Sequence, residues 1–230
     1  MQNKPEHIFF DLDHTIWDFE TNSDEAYKKL LAEENIEVPF EKFAEIYHPI
    51  NRKVWENYSA GLYTKEQVKI IRLKATLDQL GFNFPADEIL RMADRYLDFL
   101  AEGTVLFPGA METLNYLVEK YPLHLITNGF FEVQYRKIEN SGLSPYFQTV
   151  TVSEETGELK PHPVVYRHAL EKAGTVPHKS LMIGDSLKSD VLGAINAGMQ
   201  AILFDPEGKE NLPATVAPTI RRLIELKNLL

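Results

Sequence analysis

Five short apolar runs, at about 7–11, 123–127, 149–152, 181–184 and 201–204, constrain this chain more than any other feature. A run as brief and apolar as Ile8-Phe9-Phe10 reads as a buried strand. Helical patterns over 131–141, 162–173 and 188–198 separate the last four runs, and that alternation predicts βαβ units in a parallel sheet. Four runs also lead into polar, chemically capable turns. The first ends in Asp11-Leu12-Asp13-His14-Thr15 and the second in Thr127-Asn128-Gly129. The third passes through an acidic loop to Lys160-Pro161, and the fourth ends in Gly184-Asp185-Ser186 with Asp190 beyond it. In an open parallel sheet, ligands bind beyond the carboxyl ends of the strands.

Between the first strand and residue 107 the alternation stops, and four helical stretches follow one another. Residues 22–35 carry Ala26, Leu30 and Leu31 on one face, with Asn22 or Ser23 available as cap. A second stretch covers about 40–59 and is expected to bend or break at Pro49. Thr64 and Gln67 form a capping box ahead of a third helix that stops at Gly81, and a fourth covers about 86–102. Phe107-Pro108-Gly109 marks the return to the sheet, and 215–230 reads as one amphipathic helix.

Taken in order, Asp-x-Asp-x-Thr, a strand-end Thr, a Lys and Gly-Asp-Ser-x-x-x-Asp resemble the haloacid dehalogenase superfamily of aspartyl-phosphate hydrolases, over about residues 7–205. The resemblance implies an α/β fold, a Rossmann-like parallel sheet with an inserted helical-bundle cap. The expected domains are 1–17 with 106–230 as the core and 18–105 as the cap, mounted above the sheet. If Asp11 and Asp185 share one metal, strand one lies beside 181–184, and right-handed crossovers then give the strand order 3-2-1-4-5. The opening from Phe10 to Phe19 and the long insert are most similar to the pyrimidine 5'-nucleotidases, which act on nucleoside monophosphates. Phosphoglycolate and sugar-phosphate phosphatases share the scaffold and remain the alternative.

A carboxylate that attacks a phosphate dianion meets like-charge repulsion of roughly 4 kcal/mol per unit pair at 4 Å and an effective dielectric near 20. Mg²⁺ suits the task, since it prefers oxygen ligands and binds through one or two carboxylates plus the substrate's phosphate. By resemblance, Asp11 is the nucleophile and Asp13 the acid/base. Asp11, Asp185 and the backbone carbonyl of Asp13 are the metal ligands. Thr127, Asn128 and Lys160 are the substrate-binding residues. Thr15 and Asp190 support them, Asp190 by orienting Lys160 or metal-bound water. Each residue has a plainer reading: Lys160 as a solvated lysine, Thr127-Asn128-Gly129 as a turn, Asp185 as a helix cap. Their coincidence in order, each after a strand, favours the joint reading. His14 either touches substrate or orients its neighbours, and His162 and His168 read as helix-surface residues. Trp17, Phe19, Trp55, Tyr58 and Tyr63 are either core or a base-stacking surface.

The 230 residues carry a formal net charge of −10 and no cysteine. That acidity disfavours a nucleic-acid polymer as partner, while a small phosphorylated metabolite remains compatible with cations local to a cleft. No apolar run approaches a membrane span and no secretory signal is evident, so a cytoplasmic monomer or homodimer is expected. A nucleotide-sugar glycosyltransferase needs a nucleotide-binding region upstream of its Asp-x-Asp, and about ten residues leave no room for one. A phospho-accepting signalling receiver carries its acceptor near the middle strand and has no helical insert. A halide-removing relative typically lacks the second aspartate, whereas Asp13 is present here.

Overall fold

The structure is a computed structural model that describes residues 4–210, 213 and 215–230. It divides into two compact units, Met1–Glu20 with Thr104–Leu230, and Thr21–Gly103. In the first, the strands β1 (His7–Phe10), β2 (Leu123–Thr127), β3 (Phe147–Val152), β4 (Ser180–Gly184), β5 (Gln200–Phe204) and β6 (Thr219–Ile220) form one parallel sheet. Their order is β3-β2-β1-β4-β5-β6, the expected order extended by a sixth strand.

The sheet is buried on both faces. One face presents Phe9, Ile126, Met182 and Leu203 to Val165, Tyr166, Ala169 and Leu170 of helix α7 (Pro163–Ala173). Alternate residues, such as Phe10, Leu125 and Ile183, point the other way and are equally buried, as expected for strands with helices on both sides. The connecting helices are α5 (Ala110–Val118), α6 (Phe131–Asn140) and α8 (Gly193–Asn196). Helix α5 has no counterpart in the sequence reading.

Two expectations for this unit are corrected. The segment read as one helix over 188–198 opens as a π-type turn, Leu187–Leu192, before α8. In that turn the Asp190 and Val191 N–H groups both donate to the Ser186 carbonyl. The tail is not a single helix: β6 pairs with β5, and only a short 3₁₀ turn and α9 (Leu226–Leu229) are helical. Pro213 and Pro218 lack the N–H groups a helix needs, and β5 offers an open edge to β-branched Thr219-Ile220.

The second unit is built from α1 (Phe19–Glu33), α2 (Phe40–Ser59), α3 (Lys65–Gln79) and α4 (Ala86–Ala101). Its core holds a cluster of rings from Tyr27, Phe43, Tyr47 and Tyr96. Helix α2 runs unbroken through Pro49, because Phe43, Tyr47 and Val54 bury one face on both sides of it. Asn22 and Ser23 lie inside α1 rather than capping it. Ser23 instead shares a hydrogen bond of 2.9 Å with the Tyr96 hydroxyl, satisfying two buried polar groups at once. The capping box forms as read, with Thr64 Oγ1 accepting from the Gln67 N–H and Gln67 Oε1 accepting from the Thr64 N–H. Among the described residues, no helix is long and apolar enough to cross a membrane.

Thr64→Ala removes the acceptor at the start of α3 and is expected to cost about 1 kcal/mol. Urea denaturation followed by far-UV circular dichroism checks this; an unchanged midpoint would contradict the capping role.

Candidate active site

The strand ends meet because β1 lies between β2 and β4. Asp11 is the first residue past β1, and its N–H extends the parallel ladder by donating to the Ile183 carbonyl at 2.9 Å. Thr127 closes β2, Asp185 follows the last residue of β4, and the loop after β3 returns Lys160 to the same place.

Lys160 is fully buried, so its ammonium must find partners. It donates to Asp11 Oδ1, Asp190 Oδ1 and the Ile126 carbonyl, each at 2.7 Å. An ammonium has three protons, and all three are used. Burial alone would lower the lysine's pKa, but the two carboxylates reverse that and hold it above the ordinary value. Asn128 fixes the backbone beneath, its Nδ2 donating to the Lys160 carbonyl and its Oδ1 accepting the Lys160 N–H. Both ends of the Asn128 side chain thus hold the Lys160 backbone, and one Nδ2 proton remains beyond these two bonds. Gly184 makes room for Asp190, because a Cβ at 184 would meet the Asp190 carboxylate.

On the other side of Asp11 the balance of charge reverses. Carboxylate oxygens of Asp11, Asp185 and Asp190 lie within 4.8 Å of one another. Asp190 is committed to Lys160 and to the Ser186 N–H. Asp11 Oδ2 and Asp185 Oδ1 share the single hydroxyl proton of Thr15, at 3.4 and 3.2 Å, while Thr15 Oγ1 accepts the Asp185 N–H at 3.1 Å. Burial pushes the Asp11 carboxyl well above the usual range, against the pull of Lys160. Burial, followed by the charge of Asp190, pushes Asp185 up to about 7. Two desolvated carboxylates short of donors, with only oxygen atoms facing each other, fit a hard divalent cation.

Asp13 leaves the same turn in another direction. Its Oδ2 accepts from Gln134 Nε2 and its Oδ1 from Lys137 Nζ, both at 2.8 Å. Thr127 Oγ1 accepts from Gln134 Nε2 at 2.6 Å and from the Gly129 N–H at 3.2 Å, which leaves its own proton to donate. His14, next after Asp13, has a positive φ of 62°, uncommon for a side-chain-bearing residue, with its ring against Phe19. Burial holds its pKa below the ordinary value.

The sequence pattern of the haloacid dehalogenase-like hydrolases matches residues 5–198. The chain belongs to that family. The HAD-hydrolase YfnB of Bacillus subtilis is 34% identical over 97% of this chain and 94% of its own. Its crystal structure, bound to magnesium, superposes with a TM-score of 0.89 over 99% of both chains. The pyrimidine 5'-nucleotidase YjjG of Escherichia coli is 32% identical over 97% of this chain and 96% of its own. The pyrimidine 5'-nucleotidase PynA of Streptococcus pneumoniae is 33% identical over 89% and 85%. Within the haloacid dehalogenase-like hydrolases, the chain is an enzyme of the phosphatase type.

Several residues of this hydrolase escape a sequence reading. Gln134 and Lys137 gave no motif, although both lie on the buried face of α6 beside Val133 and Ile138, where a polar pair is unusual. Of its two readings, Trp17 takes the core one: it is fully buried, its Nε1 donates to Ser141 Oγ, and the Lys137 ammonium lies 4.1 Å from its ring. Phe19 is buried beside it, whereas Trp55, Tyr58 and Tyr63 of the helical unit are half-buried. His162 caps α7, and His168 pairs with Glu155 on the surface.

The raised Asp185 pKa has a signed consequence. The unfolded chain releases this proton near about 3.9, and the folded chain holds it to about 7. Between these values the native state binds more protons, so without a cation this group's contribution to stability falls as pH rises through that window. A divalent cation relieves the charge where it exists and must displace the proton where it does not. Magnesium chloride is therefore expected to raise Tm more at about pH 8 than at about pH 5, measured by differential scanning fluorimetry. A larger shift at the lower pH would contradict the pairing of Asp11 and Asp185 around a cation.

Proposed function

We propose that this hydrolase cleaves phosphate monoesters with Mg²⁺ through an aspartyl-phosphate on Asp11, and that its substrates are pyrimidine nucleoside 5'-monophosphates. The observation that carries the mechanism is one turn presenting two carboxylates in unlike surroundings. Asp11 is buried against a fixed ammonium, whereas Asp13 is partly exposed and held by Gln134 and Lys137. Pairs of acids separated in this way divide the roles of nucleophile and acid/base.

A carboxylate oxygen of Asp11 attacks phosphorus in line with the ester bond, forming Asp11 Oδ–P as the ester P–O bond breaks. Lys160 offsets charge on Asp11, and the free proton of Thr127 is available to a phosphate oxygen. Asp13 delivers a proton to the departing oxygen and then takes one from the water that releases phosphate, a role worth roughly 10²–10⁴ in rate. Asp11, Asp185 and the Asp13 carbonyl would hold Mg²⁺, which when bound supplies positive charge to the carboxylates and the phosphate. Thr15 and Asp190 act through their neighbours, Thr15 by tying Asp11 to Asp185 and Asp190 by holding Lys160. The names of YjjG and PynA, relatives over most of this chain, support the nucleotide assignment.

Phosphate release is expected to stop in excess EDTA and return with Mg²⁺. Asp11→Asn is expected to abolish both turnover and the acid-stable, hydroxylamine-sensitive phosphoenzyme; residual turnover above a few per cent would mean another nucleophile. For substrate, kcat/KM for uridine and thymidine monophosphate is expected to exceed that for phosphoglycolate and hexose phosphates. The reverse ranking overturns the nucleotide assignment and leaves the phosphatase mechanism standing.

A further inference from the structure

We propose that Lys137 and Gln134 are positioning residues that clamp the acid/base Asp13, with Trp17 as the platform for Lys137. The inference rests on the acid/base role given to Asp13 above. The two residues are one helical turn apart on α6 and divide the carboxylate between them: Gln134 Nε2 takes Oδ2 and Lys137 Nζ takes Oδ1, each at 2.8 Å. With one donor per oxygen, the carboxylate is fixed in rotation as well as in place. The second proton of the Gln134 amide goes to Thr127 Oγ1 at 2.6 Å, so the same side chain registers Asp13 against the strand-end hydroxyl.

Three features argue that the clamp exists for Asp13 rather than for stability. Gln134 is fully buried and its Oε1 has no partner among the described residues, so the fold leaves a polar atom unsatisfied to aim the amide at Asp13. A buried apolar side chain would leave no such orphan. Lys137 is also buried, its ammonium 4.1 Å from the Trp17 ring and 5.3 Å from that of Phe19, where the ring faces attract a cation and restrict where it can move. Trp17 belongs to the turn that carries Asp13, its carbonyl accepting the His14 N–H at 2.9 Å, and its Nε1 is anchored on Ser141. The turn that carries Asp13 and the helix that carries the clamp are therefore joined at a further point. Finally, the residue that opens space for Gln134 is Gly129, whose backbone is not left-handed and where a Cβ would run into the Gln134 amide.

The test uses p-nitrophenyl phosphate, whose leaving group departs without a proton, so that a displaced Asp13 slows mainly the hydrolysis of the aspartyl-phosphate. Wild type, Asp13→Asn, Lys137→Met, Lys137→Arg and Gln134→Leu are compared by rapid mixing. Lys137→Met and Gln134→Leu are expected to behave as weaker forms of Asp13→Asn: a burst of nitrophenol near one per site, then steady turnover slowed roughly 10²-fold, with KM falling alongside kcat and kcat/KM little changed. Lys137→Arg, which keeps a cationic donor, is expected to recover most of the rate. Wild-type turnover in Lys137→Met, or a loss without a burst that arginine does not rescue, overturns the clamp while Asp13→Asn still bursts. Asp13→Asn with wild-type kinetics overturns the acid/base reading instead, and the clamp loses its purpose with it. If Lys137→Met does not fold, Gly129→Ala displaces Gln134 with Lys137 intact. It is expected to give the same burst, and a wild-type trace from it overturns the proposal.

Discussion

A buried ammonium organises this molecule. The Lys160 side chain has left water entirely, and a charge so placed is tolerable only where partners of opposite sign are held ready. Its three acceptors come from three different parts of the sheet: the turn after β1, the last stretch of β2 and the π-type turn after β4. The lysine itself arrives from the loop after β3. One cation thereby draws four connections to a common point at the carboxyl ends of the strands. Removing it would leave Asp11 and Asp190 buried without a counter-charge, at a cost of several kcal/mol.

The same cation divides the site electrically. Toward β2 and the β3 loop, negative charge is matched by the ammonium and by backbone groups. Toward β4, Asp11 and Asp185 have one hydroxyl proton between them and are pushed toward their neutral forms by burial. A hard divalent cation is the natural complement to that half, and a phosphate dianion needs the positive charge that both halves would then offer. Asp13 is drawn out of this crowd by Gln134 and Lys137, although only one residue separates it from Asp11. Two aspartates nearly adjacent in sequence thus occupy different environments, the second bonded by two side chains of α6.

Small residues make these approaches possible. Gly129 and Gly184 are each needed for what a Cβ would displace, the Gln134 amide in one case and the Asp190 carboxylate in the other. Neither position has a left-handed backbone, so the requirement is for space rather than for conformational freedom.

The parts of the fold legible in the sequence are those set by local physics. Short apolar runs alternating with helices pointed to parallel strands, and the handedness rule ordered them once Asp11 and Asp185 were taken to share one metal. Thr64 and Gln67 announced a helix start because a capping box needs nothing beyond four residues. The acidic turn after β1, the hydroxyl ending β2 and the Gly-Asp-Ser turn after β4 were visible for the same reason. What the sequence could not show depended on neighbours distant in the chain. Pro49 reads as a break until the packed face around it outweighs the lost hydrogen bond. The tail reads as a helix until β5 offers it an edge. Taken alone, Lys160 reads as a solvated lysine, Trp17 reads as core or as a stacking surface, and Gln134 and Lys137 belong to no motif. The composition and order of the chain determined a parallel sheet with reactive strand ends. Only the tertiary structure decided which charges are stripped of water, since burial belongs to the folded assembly of distant segments, and in this protein burial selects the partners of every charged group in the site.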